Sequence, residues 1–158
     1  MLNSNLKNLL VEAMISEKKS KEFYIEASKK AQSKAGKNFF KELADFEENH
    51  YSKVKKIIES LDKGIKIKEE ETESNTNKVS PEVKGEFEPN RDEIVNIINL
   101  AIEAEKDAQD RYMKISKVLT VTKEKNIFKN LANEESNHKR MLEHQFYQIS
   151  NKGTIIWE

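Results

Sequence analysis

The sequence contains one block of residues twice, and the two copies lie 88 positions apart. Each copy consists of a Glu, a Tyr seven residues later and, further along, the pattern Leu-Ala-x-x-Glu-x-Asn-His. The repeated residues are Glu17, Tyr24, Leu43, Ala44, Glu47, Asn49 and His50, and then Glu105, Tyr112, Leu131, Ala132, Glu135, Asn137 and His138. A chain with this repeat is expected to fold as two similar halves, because the same pattern has to bury the same face twice.

Each half contains two stretches in which apolar side chains recur every three or four residues, which is the period of an amphipathic helix. The four predicted helices cover about 4–36, 37–62, 91–120 and 122–150, with Ser4 and either Asn90 or Asp92 as N-caps. Charged residues make up 35% of the chain, and only four Gly and two Pro occur, which favours long helices over strands. The expected fold class is all-α, a four-helix bundle formed by one domain over residues 1–158.

The two helical hairpins, about 4–62 and 91–150, are separated by a connection at about 62–90 that lacks a sustained apolar period. Fully extended, this connection would span about 95 Å at about 3.3 Å per residue. A helix of about 25 residues is only about 37 Å long, so the connection can cross the whole bundle. We expect the second hairpin to pack as a two-fold partner of the first. The apolar tail at 151–158 is expected to dock on the bundle or on a second subunit.

The middle of every predicted helix places a Glu, or a Glu and a His, on the otherwise apolar stripe. One Glu-x-x-His in a Glu-rich chain is most often a solvated surface pair, but here both copies lie on the stripe in the same register. Buried carboxylates without partners are strongly disfavoured, and four close together would also repel one another. Cations would remove both problems, so the pattern predicts a metal site. The predicted ligands are Glu17, Glu47, His50, Glu105, Glu135 and His138.

The charge of this set favours two divalent ions. Four carboxylates supply four negative charges, which two divalent cations neutralise. Carboxylate and imidazole ligands suit iron or manganese, and zinc would also bind. The predicted cofactor is a pair of iron ions, with manganese or zinc as alternatives.

Several other polar residues need an interpretation. Tyr24 and Tyr112 are either ordinary core aromatics or donors whose hydroxyls bond a ligand carboxylate on another helix. His144 has no counterpart in the first half and is expected at the surface. A further set of glutamates is expected to point away from the stripe: Glu12, Glu22, Glu26, Glu48, Glu103 and Glu134.

Composition excludes several classes of function. The 28 basic and 28 acidic residues cancel, so bulk charge gives no reason to expect a nucleic-acid or membrane partner. The sequence has no Cys, which excludes disulfides, zinc–thiolate sites, cysteine nucleophiles and a rubredoxin-type iron centre within it. No segment approaches the roughly 20 apolar residues of a membrane span, and the N-terminus lacks the apolar core of a secretory signal. The expected location is the cytoplasm.

At the repeated residues the sequence resembles the ferritin-like di-iron carboxylate proteins, and among them the rubrerythrin branch. The resemblance covers all four helices and is carried by EKKSKEFY (17–24), LADFEENH (43–50), AEKDAQDRY (104–112) and LANEESNH (131–138). It implies a ferritin-like bundle around two iron ions. It also implies three pairs of ligands, the terminal carboxylates Glu17 and Glu105, the terminal imidazoles His50 and His138, and the bridging carboxylates Glu47 and Glu135.

Two departures from the rubrerythrin pattern change what the resemblance implies. Full rubrerythrins carry a C-terminal rubredoxin-like domain that feeds electrons to the ion pair. This sequence has neither its length nor its cysteines, so electrons are expected from another protein or a small reductant. Rubrerythrins also place an additional carboxylate ligand on the third helix, where this chain has Ala108 and Gln109. The second departure argues against redox-linked ligand exchange and predicts a more symmetric site.

Members of this family reduce peroxide or dioxygen at the iron pair, or oxidise and store iron. The resemblance therefore implies a non-haem di-iron oxidoreductase that reduces hydrogen peroxide or dioxygen with electrons from an external donor protein. The alternative is ferroxidase-type iron handling without peroxidase turnover. A third interpretation is a partner-binding scaffold whose metal is structural. A homodimer is expected.

Overall fold

The computed structural model of the protein describes residues 4–63, 86–152 and 155–157, and these contain four long helices. The helices are α1 (Ser4–Lys30), α2 (Lys34–Lys63), α3 (Arg91–Val118) and α4 (Thr122–Lys152). Two short strands, β1 (Phe87–Glu88) and β2 (Ile155–Ile156), flank the second pair of helices. The predicted all-α four-helix bundle is confirmed. Residues 64–85 of the expected connection lie outside the described residues.

The helices pack as two hairpins, α1 along α2 and α3 along α4, and α1 also contacts α3. Turns of three residues join the helices within each hairpin, which makes the two neighbours antiparallel. The predicted apolar stripes all face inward, and among them only Leu6, Ser20 and Leu61 retain partial exposure. Fully burying an aliphatic or aromatic side chain contributes about 1.5–3 kcal/mol. The stripes therefore supply the energy that lets the bundle tolerate polar groups at its centre.

The apolar core is divided into two clusters. One contains Phe40, Leu43 and Trp157, and the other contains Leu10, Phe128 and Leu131. The glutamates and histidines of the repeat lie between these clusters. No helix within the described ranges combines the length and hydropathy that crossing a bilayer requires.

The turn between α1 and α2 differs from the prediction. The sequence predicted a first helix that continues to Gly36, but α1 ends at Lys30 and Gly36 lies in the first turn of α2. Ser33 caps α2, since its Oγ accepts a hydrogen bond from the Gly36 N–H at 2.9 Å. A distant carboxylate holds this turn, because Glu88 accepts bonds from the Gln32 N–H (2.8 Å) and the Ser33 hydroxyl (2.5 Å).

The tail docks on the bundle, which is one of the two expected places. β1 and β2 pair in antiparallel fashion, with Phe87 opposite Ile156. Ile155 and Trp157 are buried, and the Trp157 ring lies 4.9 Å from that of Phe39. The Trp157 indole N–H also donates to Glu88 at 3.2 Å. One buried carboxylate thus connects the α1–α2 turn, the segment before α3 and the C-terminal tail.

Replacing Gly36 with Ala should destabilise the protein, although Ala favours helix over Gly by about 1 kcal/mol. A Cβ at position 36 would collide with Glu88 Oε1 and lie 3.0 Å from both Ala31 Cβ and Ser33 Oγ. The carboxylate is pinned by its hydrogen bonds, each worth about 1 kcal/mol, so moving it should outweigh the helix preference. We expect a net loss of about 1–3 kcal/mol in urea unfolding.

The double variant Gly36→Ala/Glu88→Ala provides the control, because it removes the atom with which the new methyl group collides. In the Glu88→Ala background the Gly36→Ala change should cost much less, or become stabilising. Equal effects in both backgrounds would contradict this account of the turn.

Candidate metal centre

The six side chains predicted as metal ligands converge between the two apolar clusters. The helices supply, in chain order, Glu17, then Glu47 with His50, then Glu105, and finally Glu135 with His138. They meet because residues three apart share one helix face, and each hairpin turns that face toward the other. Each of the six is at most 2% exposed.

Their ligand atoms form two groups, and within each group all atoms lie within 4.8 Å of one another. The first group consists of Glu17, Glu47, His50 and Glu135, and the second of Glu47, Glu105, Glu135 and His138. Glu47 and Glu135 belong to both groups. The arrangement would suit two ions, because each group adds one further Glu and one His to the two shared carboxylates. That these residues bind metal remains a prediction.

The two imidazoles present the same nitrogen to the centre. His50 Nδ1 lies 3.7 Å from Glu17 Oε2, 3.8 Å from Glu47 Oε2 and 2.5 Å from Glu135 Oε1. His138 Nδ1 lies 3.5 Å from Glu47 Oε1, 3.8 Å from Glu105 Oε2 and 3.9 Å from Glu135 Oε1. The rings are 5.7 Å apart and nearly parallel, at 17°. Each imidazole thus faces three carboxylates, with its Nδ1 between 2.5 and 3.9 Å from their oxygens.

The atoms aimed at the centre fit a bound cation. Within the described part of the chain, five buried atoms aimed at the centre have no hydrogen-bond partner, namely Glu17 Oε2, both Glu47 oxygens, Glu105 Oε2 and His138 Nδ1, while His50 Nδ1 and Glu135 Oε1 have only each other, at 2.5 Å. Burying such an atom without a partner costs about 1–3 kcal/mol, and more if it is charged. Carboxylate oxygens and imidazole nitrogens are good donors for iron, manganese and zinc. The residues present therefore fit a pair of such ions.

Two tyrosine hydroxyls, one from each half of the repeat, donate hydrogen bonds to the terminal carboxylate of the other half. The Tyr24 hydroxyl donates to Glu105 Oε1 at 2.6 Å, and the Tyr112 hydroxyl donates to Glu17 Oε1 at 2.5 Å. Burial, and then the adjacent carboxylate charge, raise the pKa of both phenols well above the ordinary value, so both remain donors. Of the two interpretations left open by the sequence, the structure supports the donor to a carboxylate on another helix. Each bond leaves the second oxygen of its glutamate directed at the centre.

The two shared carboxylates differ electrostatically from the two terminal ones. Burial, followed by the negative charges of Glu105 and Glu17, raises the pKa of Glu47 and of Glu135 well above the usual range. Burial also opposes ionisation of Glu105, but His138, Glu135 and Tyr24 outweigh it and lower its pKa to about 2. The pKa of Glu17 is lowered against the same burial by Glu47, His50 and Tyr112.

Both imidazoles are held in the protonated form when no cation is bound. Burial alone would lower the pKa of His50, but Glu135 and Glu134 raise it well above its ordinary value. Burial opposes the proton on His138 as well, yet Glu105 and Glu47 raise its pKa to about 9. Protonated imidazoles are thereby favoured beside the terminal glutamates, whose lowered pKa favours the ionised form. In the metal-free centre, protons thus supply part of the positive charge that a metal would bring.

Glu134 corrects one prediction. It was expected to point away from the stripe, but it is 1% exposed and its Oε2 lies 2.7 Å from His50 Nε2. Sequence reasoning missed it because position 134 lies one residue off the stripe. The repeat did indicate that position 134 is buried, because the equivalent residue in the first half is the apolar Phe46.

The remaining predicted positions agree with the structure. His144 is exposed, and so are the five other glutamates expected in solvent: Glu12, Glu22, Glu26, Glu48 and Glu103. At the position of the additional rubrerythrin carboxylate, Ala108 is buried and Gln109 is partly exposed, and neither belongs to the ligand groups. The six ligand atoms therefore form two sets of equal composition.

Comparison with known proteins found a matching protein family and a similar solved structure. The protein-family model Rubrerythrin matches residues 8–146. A solved structure, a hypothetical protein from Pyrococcus furiosus, superposes with a TM-score of 0.73 at 23% sequence identity, covering 93% of this chain and 91% of that one. At that identity the likeness shows a common fold. A search of the curated proteins found no match.

Proposed function

Because this chain belongs to the rubrerythrin family, we propose that it is a di-iron oxidoreductase that reduces hydrogen peroxide or dioxygen at its buried centre. The observation that carries the proposal is the pair of ligand groups that share Glu47 and Glu135. Residues grouped in this way would hold two ions, and cleaving the O–O bond of peroxide needs two electrons, one for each ion.

The chain's own residues have distinct roles in this proposal. Glu17 and His50 would hold one ion and Glu105 and His138 the other, and Glu47 and Glu135 would contribute to holding both. The metal pair, when bound, supplies two electrons and Lewis acidity. Tyr24 and Tyr112 fix the terminal carboxylates by hydrogen bonds. The two apolar clusters exclude bulk water above and below the centre, which strengthens the electrostatic interactions inside.

A cavity on the α1–α3 side offers a small oxidant a place beside the centre. It has a volume of about 290 Å³ and opens between small side chains, among them Ser16, Ser20 and Ala104. Tyr24 forms part of its wall, and the hydroxyl of that residue bonds the ligand Glu105. Lys19, Arg111 and Asp107 also line the cavity, so its charged lining carries a net positive charge. Peroxide and dioxygen are far smaller than this space.

Electrons have to come from outside the sequence, since it contains no Cys for a rubredoxin-type iron centre. We therefore include in the proposal an external electron-donor protein. We also propose a homodimer, which size-exclusion chromatography with light scattering would test.

Stopped-flow mixing of anaerobic, iron(II)-loaded protein with hydrogen peroxide tests the function. One peroxide should accept two electrons and two protons to give two waters, while two iron(II) ions become iron(III). We expect oxidation at least about 100-fold faster than in Glu47→Ala/Glu135→Ala, because proximity of paired ions is lost in that variant. Glu48→Ala is the matched control, since this neighbour of Glu47 is exposed. Equal rates in the wild type and the double variant would refute the proposal.

Ferroxidase-type iron handling is the second candidate, and the symmetry of the centre favours it. Positions 108 and 109 lack the additional carboxylate through which a rubrerythrin-like ligand exchange would act. The fate of the oxidised iron separates the two functions. Two irons retained per chain through repeated peroxide additions with reductant indicate turnover, whereas release of iron(III) or accumulation beyond two per chain indicates handling.

A further inference from the structure

The repeat makes the two halves of the centre nearly identical, but it fails at one contact. In the half that contains His50, Glu134 Oε2 lies 2.7 Å from the ring Nε2. The residue equivalent to Glu134, 88 positions earlier, is Phe46. In the other half, the Phe46 ring packs on the His138 ring, with centroids 4.8 Å apart. One imidazole is therefore anchored by a carboxylate and the other is packed against a hydrocarbon ring.

A second difference accompanies the first. Lys53 Nζ lies 3.8 Å from Glu134 Oε1, which places Glu134 between a lysine and a histidine. The residue equivalent to Lys53 in the other half is Met141, which has no charge. Glu134 and Lys53 are 1% and 16% exposed in their side chains, so the chain of contacts runs inside the protein. One half of the centre thus contains the contact chain of Lys53, Glu134 and His50. The equivalent positions in the other half hold Met141, Phe46 and His138.

This contact determines what His50 presents to an ion. With the Nε2–H donated to Glu134, the lone pair of the neutral ring is on Nδ1, which is the atom aimed at the ligand group. A carboxylate that holds a metal-binding imidazole in this way fixes its tautomer and orientation and makes it a stronger donor. Phe46 offers no acceptor atom to His138 and cannot do the same.

We propose that Glu134 makes the two metal positions unequal, so that the position of Glu17 and His50 binds its ion more tightly than the position of Glu105 and His138. Glu134 is a positioning residue, because it acts through His50. This inference rests on the proposed function, as it assumes that the centre binds metal. The position of Glu105 and His138 would therefore gain its ion last and lose it first.

Two variants matched by the repeat isolate the two positions. Glu105→Gln removes the terminal carboxylate of the second group, and Glu17→Gln removes that of the first. Each loses one equivalent charge, so the two proteins differ chiefly in which position keeps its full ligand set. Zinc(II) is the probe, because it is redox-inert and its affinity can be measured by competition with a chromophoric chelator.

We expect Glu105→Gln to bind zinc about 10–100-fold more tightly than Glu17→Gln. Adding Glu134→Gln should reduce this advantage in the Glu105→Gln background and change affinity less than about 3-fold in the Glu17→Gln background. Glu143→Gln, on the exposed side of α4, should alter neither. The Gln at position 134 keeps the shape of Glu but removes the negative charge that makes His50 a stronger ligand, and unfolding midpoints without metal establish that each variant is folded.

The outcomes separate this inference from the proposed function. Equal zinc affinities in the two backgrounds, or an equal effect of Glu134→Gln in both, would overturn the inequality and leave the di-iron proposal intact. Absence of zinc and iron binding in the wild type would overturn both. Unequal zinc affinities without peroxide-driven iron oxidation would support the inequality and refute the oxidoreductase.

Discussion

Saturating the protein with an excess of a divalent cation should raise its melting temperature by about 20 °C. A cation present at about 1,000 times its dissociation constant stabilises the folded state by about 4 kcal/mol, and two sites give about twice that. For a chain of this size, 1 kcal/mol corresponds to about 2–4 °C. The physical reason is the set of buried ligand atoms that lack a hydrogen-bond partner, among them both Glu47 oxygens, Glu17 Oε2 and Glu105 Oε2, which a cation satisfies only in the folded protein. Differential scanning calorimetry with manganese(II) or zinc(II) measures the shift.

The double variant Glu47→Gln/Glu135→Gln is the control for this stabilisation. Both carboxyls have a raised pKa, which favours their neutral form in the metal-free protein, so the amide should leave the metal-free melting temperature little changed. The cation-induced shift should nevertheless disappear, because the shared ligands are lost. A surface variant, Glu48→Gln, should keep the full shift. A wild-type protein that melts at the same temperature with and without cations would contradict the assignment of the centre.

The metal-free protein should lose stability as pH rises from about 6.5 to about 9. The folded-state pKa of His138 is about 9, against an ordinary value of 6.5, so the folded protein holds this proton more tightly than the unfolded chain. Stability from this group is complete below pH 6.5 and is lost as pH approaches 9. A difference of this size amounts to about 3 kcal/mol. The raised pKa values of His50, Glu47 and Glu135 act in the same direction.

Bound metal should reverse the direction in which the stability of the protein changes with pH. Binding requires the ligands without their protons, so loading the centre at pH 7 should release protons, the one on His138 among them. Calorimetric titration in buffers of different ionisation enthalpy counts them. The loaded protein should gain stability over the range in which the metal-free protein loses it. Metal-free His138→Gln should show a smaller slope than the exposed control His144→Gln, and a flat wild-type profile between pH 6.5 and 9 would be inconsistent with the protonated centre.

The helices and the inward face of the bundle could be predicted from sequence because they depend on local periodicity. The stripes through Glu17, Glu47, Glu105 and Glu135 are buried as the pattern indicated. Interruption of an apolar stripe by acidic residues at the same register in each half is a strong signal, because burial of such groups needs a reason. The repeat also predicted that the six ligand residues meet, since two similar hairpins bring equivalent positions together.

What the sequence did not reveal depends on contacts between distant residues. The end of α1 at Lys30 depends on Glu88, which is 55 or more positions from the backbone amides it accepts from. No local pattern around Gly36 records that carboxylate, and the period of apolar residues there continues without a break. Glu134 was misplaced for a related reason. It lies beside the stripe on its own helix and is buried only because α2 brings His50 against it.

The crossed tyrosines make the two hairpins mutually dependent. The Tyr24 hydroxyl of the first hairpin donates a hydrogen bond to Glu105 of the second, and the Tyr112 hydroxyl of the second donates one to Glu17 of the first. A lone hairpin would therefore carry a phenol and a carboxylate that cannot satisfy each other. Two identical copies of the first hairpin could exchange these bonds, but such a pair would place Phe46 against both histidines and have no counterpart of Glu134. Fusing the halves into one chain is what allows the sequence at positions 46 and 134 to diverge.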